Sequence, residues 1–83
     1  MSETRNVGQI TYNANMGGQL SANIQKSGYT PVGILSVDHN VSAGYIALSK
    51  YSLNGNTMYV TFRNLTDSQR TANVTATILY RKT

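Results

Sequence analysis

Gly28-Tyr-Thr-Pro-Val-Gly-Ile-Leu-Ser-Val37 holds the only proline of the chain, Pro31, and its densest run of branched apolar residues, Val32, Ile34, Leu35 and Val37. Gly28 and Pro31 punctuate its start, and Asp38-His39-Asn40 ends it. A short apolar run between turn signals reads as a strand buried on both faces. The remaining strands are then expected beside or over it. Pro31 has no N–H to donate, so it belongs at the start or edge of that strand, and Thr30 before it is extended.

Downstream, Asp38 to Gly44 reads as a loop, and residues 45–53 as a strand with an ambiguous buried face: Tyr45, Ala47, Ser49, Tyr51 and Leu53 on one side, Ile46, Leu48, Lys50 and Ser52 on the other. Asn54-Gly55 is a strong hairpin signal, because a type I′ turn needs positive φ at both central residues. The return strand, 57–64, points Met58, Val60 and Phe62 inward and Tyr59, Thr61 and Arg63 outward. Residues 71–81 alternate over a long span, with Ala72, Val74, Ala76, Ile78 and Tyr80 on one face and Asn73, Thr75, Thr77, Leu79 and Arg81 on the other. Upstream, residues 5–13 carry Val7, Ile10 and Tyr12 in imperfect alternation, Gly17-Gly18 reads as part of a turn, and residues 19–26 alternate cleanly through Leu20, Ala22 and Ile24. Nothing shows helical spacing. The expected fold is one all-β domain over 1–83, a small antiparallel β-sandwich of jelly-roll type with about six strands. Ile34, Val60, Phe62, Val74 and Ile78 are the expected core.

Eighty-three residues without a cysteine make a domain that buries too little surface to be robust alone, and self-association is the remaining remedy. Charged residues are 12% of the chain, about half the usual share. The net charge of +4 serves solubility or attracts phosphates and anionic glycans; no Lys/Arg run points to nucleic acid. No segment has the ~20 apolar residues of a membrane span, and residues 1–5 lack a signal-peptide core, so no membrane insertion or export is expected. Three Asn-x-Ser/Thr matches, at Asn40, Asn64 and Asn73, read as chance in a chain rich in Asn and Thr.

Catalytic constellations are sparse. His39 is the single histidine; beside Asp38 it reads as an ordinary turn residue, since neighbours in a strand or turn point apart. Glu3, Asp38 and Asp67 fall in a tail and loops, which suits neither paired-carboxylate chemistry nor calcium. The expectation is a protein without catalytic residues, metal or cofactor. Two binding readings remain. In one, exposed Tyr45, Tyr51 and Tyr59 with Asn and Gln side chains contact carbohydrate or a protein. In the other, Arg63 and Arg81 grip a phosphorylated ligand, if their strands are neighbours.

Gly28-Tyr-Thr-Pro-Val-Gly-Ile34, Leu53-Asn-Gly-Asn-Thr-Met-Tyr-Val60, Arg63-Asn64 and Val74-Thr-Ala-Thr-Ile-Leu-Tyr80 together resemble the small β-sandwich at the carboxyl end of phage tail-fibre and minor structural proteins. The resemblance covers roughly residues 20–83. It implies a trimer, synthesis in a bacterial host cytoplasm, a place in the virion, and non-catalytic contact with a host-surface glycan or virion protein. The family pattern offers no catalytic residue to carry over. The long fibre shaft is not part of this sequence, which leaves a tip or decoration protein, or reuse of the domain to sequester a nucleotide signal of host defence in the host cytoplasm.

Overall fold

The computed structural model describes residues 1–42 and 44–83. Six strands are present: β1 (Ser2–Tyr12), β2 (Gly17–Asn23), β3 (Tyr29–His39), β4 (Ile46–Asn54), β5 (Thr57–Asn64) and β6 (Arg70–Lys82). They form two antiparallel three-stranded sheets, ordered β1-β6-β3 and β2-β5-β4. The chain changes sheet at every connection except the β4–β5 hairpin. This is a jelly-roll winding in which each sheet stops at three strands rather than the four of an eight-stranded jelly roll. The molecule is elongated, 46 × 19 × 16 Å.

The two central strands obey the sequence alternation without a break. Met58, Val60 and Phe62 of β5 face Ala72, Val74, Ala76, Ile78 and Tyr80 of β6 across the sandwich, all buried. Val7 and Ile10 of β1, Ile24 and Ile46 complete the core. Of the five expected core residues, four are buried, while Ile34 is only half-buried at the sheet margin.

The 28–37 stretch is where expectation fails. β3 is an edge strand paired on one side only, with β6. Its register slips twice, between Pro31 and Gly33 and between Ile34 and Ser36, so Val32 and Leu35 are the extra residues of two bulges. Each bulge resets which face the next residue takes. The inward residues are therefore Pro31, Ile34 and Val37, opposite Tyr80, Ile78 and Ala76. An apolar run that looked buried on both faces is a one-sided strand whose bulged residues are exposed. β3 also extends through Asp38 and His39, which were expected in a loop. That loop is shorter than expected, and its Ala43 lies outside the described residues.

A bulge likewise resolves the ambiguity of β4. The register slips between Leu48 and Lys50, so Ile46, Leu48, Tyr51 and Leu53 share the core-side face while Ala47, Lys50, Ser52 and Asn54 face outward. The expected hairpin forms one residue later than Asn54-Gly55: Asn54 pairs with Thr57, leaving Gly55 and Asn56 central. Gly55 has φ 61° and Asn56 is not positive, the sign pattern of a type II′ turn. The paired glycines do not turn the chain either. Asn15 supplies the positive φ of that corner. Gly17 and Gly18 begin β2, where a Cβ would sit 2.6 Å from the Phe62 carbonyl oxygen and 3.0 Å from the Tyr12 ring, respectively.

Candidate functional site

The outer face of the β2-β5-β4 sheet is built in ranks by its register. Gly17–Arg63–Ala47, Gln19–Thr61–Lys50, Ser21–Tyr59–Ser52 and Asn23–Thr57–Asn54 lie side by side across the three strands. Cross-strand partners share a face, and strands stand ~4.8 Å apart, so these residues form one continuous field. Tyr59 is at its middle. It points away from the core yet is half-buried, and its register partners on either side are the small Ser21 and Ser52. Around it are amides, hydroxyls and two cations, Lys50 and Arg63. The three acidic residues of the chain lie elsewhere: Glu3 on β1, Asp38 on β3 and Asp67 between β5 and β6.

The opposite outer face, on β1-β6-β3, has similar composition but different chemistry. Its side chains bond to one another across the strands: Thr4 to Thr77 at 2.9 Å, Gln9 to Asn73 at 3.3 Å, Thr11 to Thr71 at 3.0 Å. On the Tyr59 face, among the described residues, the one side-chain hydrogen bond is local, with Asn23 Oδ1 accepting from the Gln25 N–H at 2.9 Å. Among the described residues its other side-chain donors and acceptors bond to no protein group.

The structure separates several residues that the sequence grouped. Arg63 is on the Tyr59 face, but Arg81 is on the outer face of the other sheet; β5 and β6 are not neighbours. The common arginine surface that a phosphate grip requires is not formed within one chain. Tyr51 stands opposite Val60 on the core-side face of β4, at its open margin. Tyr45 precedes β4, and the Arg70 guanidinium carbon lies 4.3 Å from its ring centroid, a cation–π contact; Arg70 Nε also donates to Thr66 Oγ1 at 3.0 Å. Neither tyrosine joins Tyr59. The sequence alternation found Tyr59, Thr61 and Arg63; their neighbours on β2 and β4 needed the register and the β4 bulge, which no local pattern announces.

Asp38 and His39 point apart, opposite Thr75 and Val74. His39 Nδ1 accepts from the Val41 N–H at 3.3 Å, which leaves the proton on Nε2 to donate to the Ile46 carbonyl at 3.1 Å. The ring meets Phe62 edge-on at 6.1 Å. The histidine braces the passage from β3 to β4. A cleft of about 610 Å³ at one end of the sandwich involves Lys26, Tyr29, Pro31, Leu53 and Asn56. Its cation is engaged: Lys26 Nζ is 3.0 Å from Glu3 Oε1 and 5.7 Å from the Tyr29 ring centroid. No protein family model, curated protein or solved structure matches this chain.

Proposed function

We propose that this chain is a non-catalytic binding protein of phage structural type, contacting a neutral, hydroxyl-rich partner such as a host-surface glycan through the Tyr59 face. The observation that carries the reading is the contrast between the two outer faces. One pairs three sets of its side chains across the strands, while the other presents amides and hydroxyls without such pairing around one half-buried tyrosine, with no carboxylate. An aromatic ring supplies flat contact area at low entropy cost, and the amides adapt to varied hydroxyls. The resemblance to phage fibre tips supports the choice of partner, a position in the virion and an assembly of several copies. His39 is engaged by Val41 and Ile46 and the three acidic residues lie apart on β1, on β3 and between β5 and β6, which supports a reading without catalysis.

The test is binding to host-envelope polysaccharide, alongside detection of the protein in purified particles. Tyr59→Ala is expected to weaken binding about tenfold, the effect of ~1.4 kcal/mol of lost contact, without changing the melting temperature. Unchanged binding by Tyr59→Ala rejects this face. The alternative, sequestering a nucleotide signal, lacks an arginine pair within one chain and needs subunits to share the ligand; calorimetry with cyclic nucleotides and ADP-ribose is its direct trial.

A further inference from the structure

The two long sides of the sandwich are finished differently. On the β1/β2 side, Arg5 Nη1 reaches across to the carbonyl oxygens of Ile24 at 3.1 Å and Gln25 at 2.8 Å. Tyr80 Oη beneath them donates to Ile24 O at 2.7 Å. That side is stitched shut by polar groups. On the β3/β4 side, large apolar residues remain in the open: Val32 is 45% exposed, Leu35 58%, Leu48 39% and Tyr51 54%. The two strands are joined at one end by the bond from His39 to the Ile46 carbonyl and approach again at the other, where Val32 and Leu53 line one cleft. The four exposed residues therefore lie along a single seam. It is the side on which an eight-stranded jelly roll would carry the fourth strand of each sheet. Here the chain goes directly from β4 into β5 and supplies neither.

We infer that the β3/β4 seam is the surface on which a second copy of this chain docks, β3 of one copy against β4 of the other. Three observations select that occupant. First, contiguous exposed aliphatic and aromatic side chains fit another apolar protein surface rather than a glycan. Second, both edges are bulged, at Val32, Leu35 and Ser49, which twists their backbone out of ladder register and turns side chains outward. The contact is made by side chains, not by an added strand. Third, the seam is electrically self-complementary. Apart from His39, whose ring is bonded to Val41 and Ile46, the one charged residue of β3 is Asp38, and the one of β4 is Lys50. Packing β3 on β4 sets Asp38 of each copy toward Lys50 of the next, whereas β3 on β3 would oppose two carboxylates. The same contact closes a pair about a two-fold axis or a ring of three about a three-fold axis. The seam borders the Tyr59 face and shares only Lys50 with it, and the inference does not depend on the glycan reading.

Light scattering on the full chain at micromolar concentration is expected to give a mass of two or three copies. Leu35→Ser changes an exposed residue, so the fold should survive, which circular dichroism verifies, and the mass should fall to one copy. Asp38→Lys and Lys50→Asp should each weaken association at least tenfold, and the double variant should restore it; this charge swap decides the matter even if Leu35→Ser fails to fold. Tyr59→Ala should leave the mass unchanged. A monomeric wild type, including one that associates only with a different protein, overturns the inference. So does an oligomer indifferent to both Leu35→Ser and the charge swap.

Discussion

Among the described residues Asn64 is the one classed as buried and polar, fully shielded at the end of β5. Its amide nitrogen donates toward the carbonyl oxygens of Tyr12 at 3.1 Å, Asn13 at 3.2 Å and Ser68 at 2.8 Å, while Oδ1 accepts from Thr66 N at 2.9 Å and Thr66 Oγ1 at 2.7 Å. The Asn-Leu-Thr spacing, dismissed in the sequence as a chance glycosylation match, is thus the geometry of a side-chain-capped turn, which places a hydroxyl donor two residues after the amide oxygen. Asn64→Ala should cost about 3 kcal/mol, since several buried backbone groups lose partners. Asn64→Asp keeps the shape but turns a carboxylate toward carbonyl oxygens; it should melt low at neutral pH and recover as the acid protonates. A thermal melt of both variants across pH checks this. Tyr12 is the counter-example. Its hydroxyl is buried without a partner, so Tyr12→Phe should raise stability by about 1 kcal/mol in chemical denaturation. Burial also pushes the Tyr12 phenol pKa up. The unfolded chain therefore releases this proton first as pH rises. The contribution of Tyr12 is complete below the ordinary phenol value and is lost as pH climbs through the raised folded one, and Tyr12→Phe should remove that part of the alkaline loss.

Strands that keep one register are legible from sequence; strands that slip are not. β5 and β6 are central and bonded on both sides, so an interior bulge would disturb two ladders, and their period-two pattern survives intact. Of the four edge strands, β1, β3 and β4 each contain a register shift, while β2 keeps one register and its clean alternation with it. After a shift the same alternation names the opposite face, so the apolar run holding Val32 and Leu35 read as buried on both faces although those two residues are exposed, and Tyr51 turns to the core-side face of β4, away from Tyr59. The β5 part of the Tyr59 field was visible in Tyr59, Thr61 and Arg63; that Gln19, Ser21, Lys50 and Ser52 stand beside them came only with pairing. The distinction has a measurable form. Phe62→Ala, deep between the sheets, should cost about 3–5 kcal/mol, whereas Leu35→Ala, within the apolar stretch but bulged outward, should stay within about 0.5 kcal/mol in a monomeric background. Equal losses would mean that β3 packs as the sequence pattern alone suggests.

At the scale of the molecule, the two sheets present unlike surfaces, one with side chains paired across its strands and one, the proposed contact face, without such pairs among the described residues. A neutral glycan on that contact face makes binding nearly indifferent to ionic strength, while a phosphorylated ligand held by arginines would be screened by salt. Titrating affinity from low to high sodium chloride is expected to show little change. The winding has a consequence of another kind. In the β1-β6-β3 sheet the central strand is β6, the last of the six in the sequence. β1 and β3 have no ladder partner in that sheet until β6 arrives between them. A nascent chain can close the β4–β5 hairpin early, but half of the sandwich must wait for the final strand to leave the ribosome. Such non-local closure folds slowly, on the millisecond-to-second scale, and until then the apolar faces of β1 and β3 are exposed to whatever aggregates or chaperones are near.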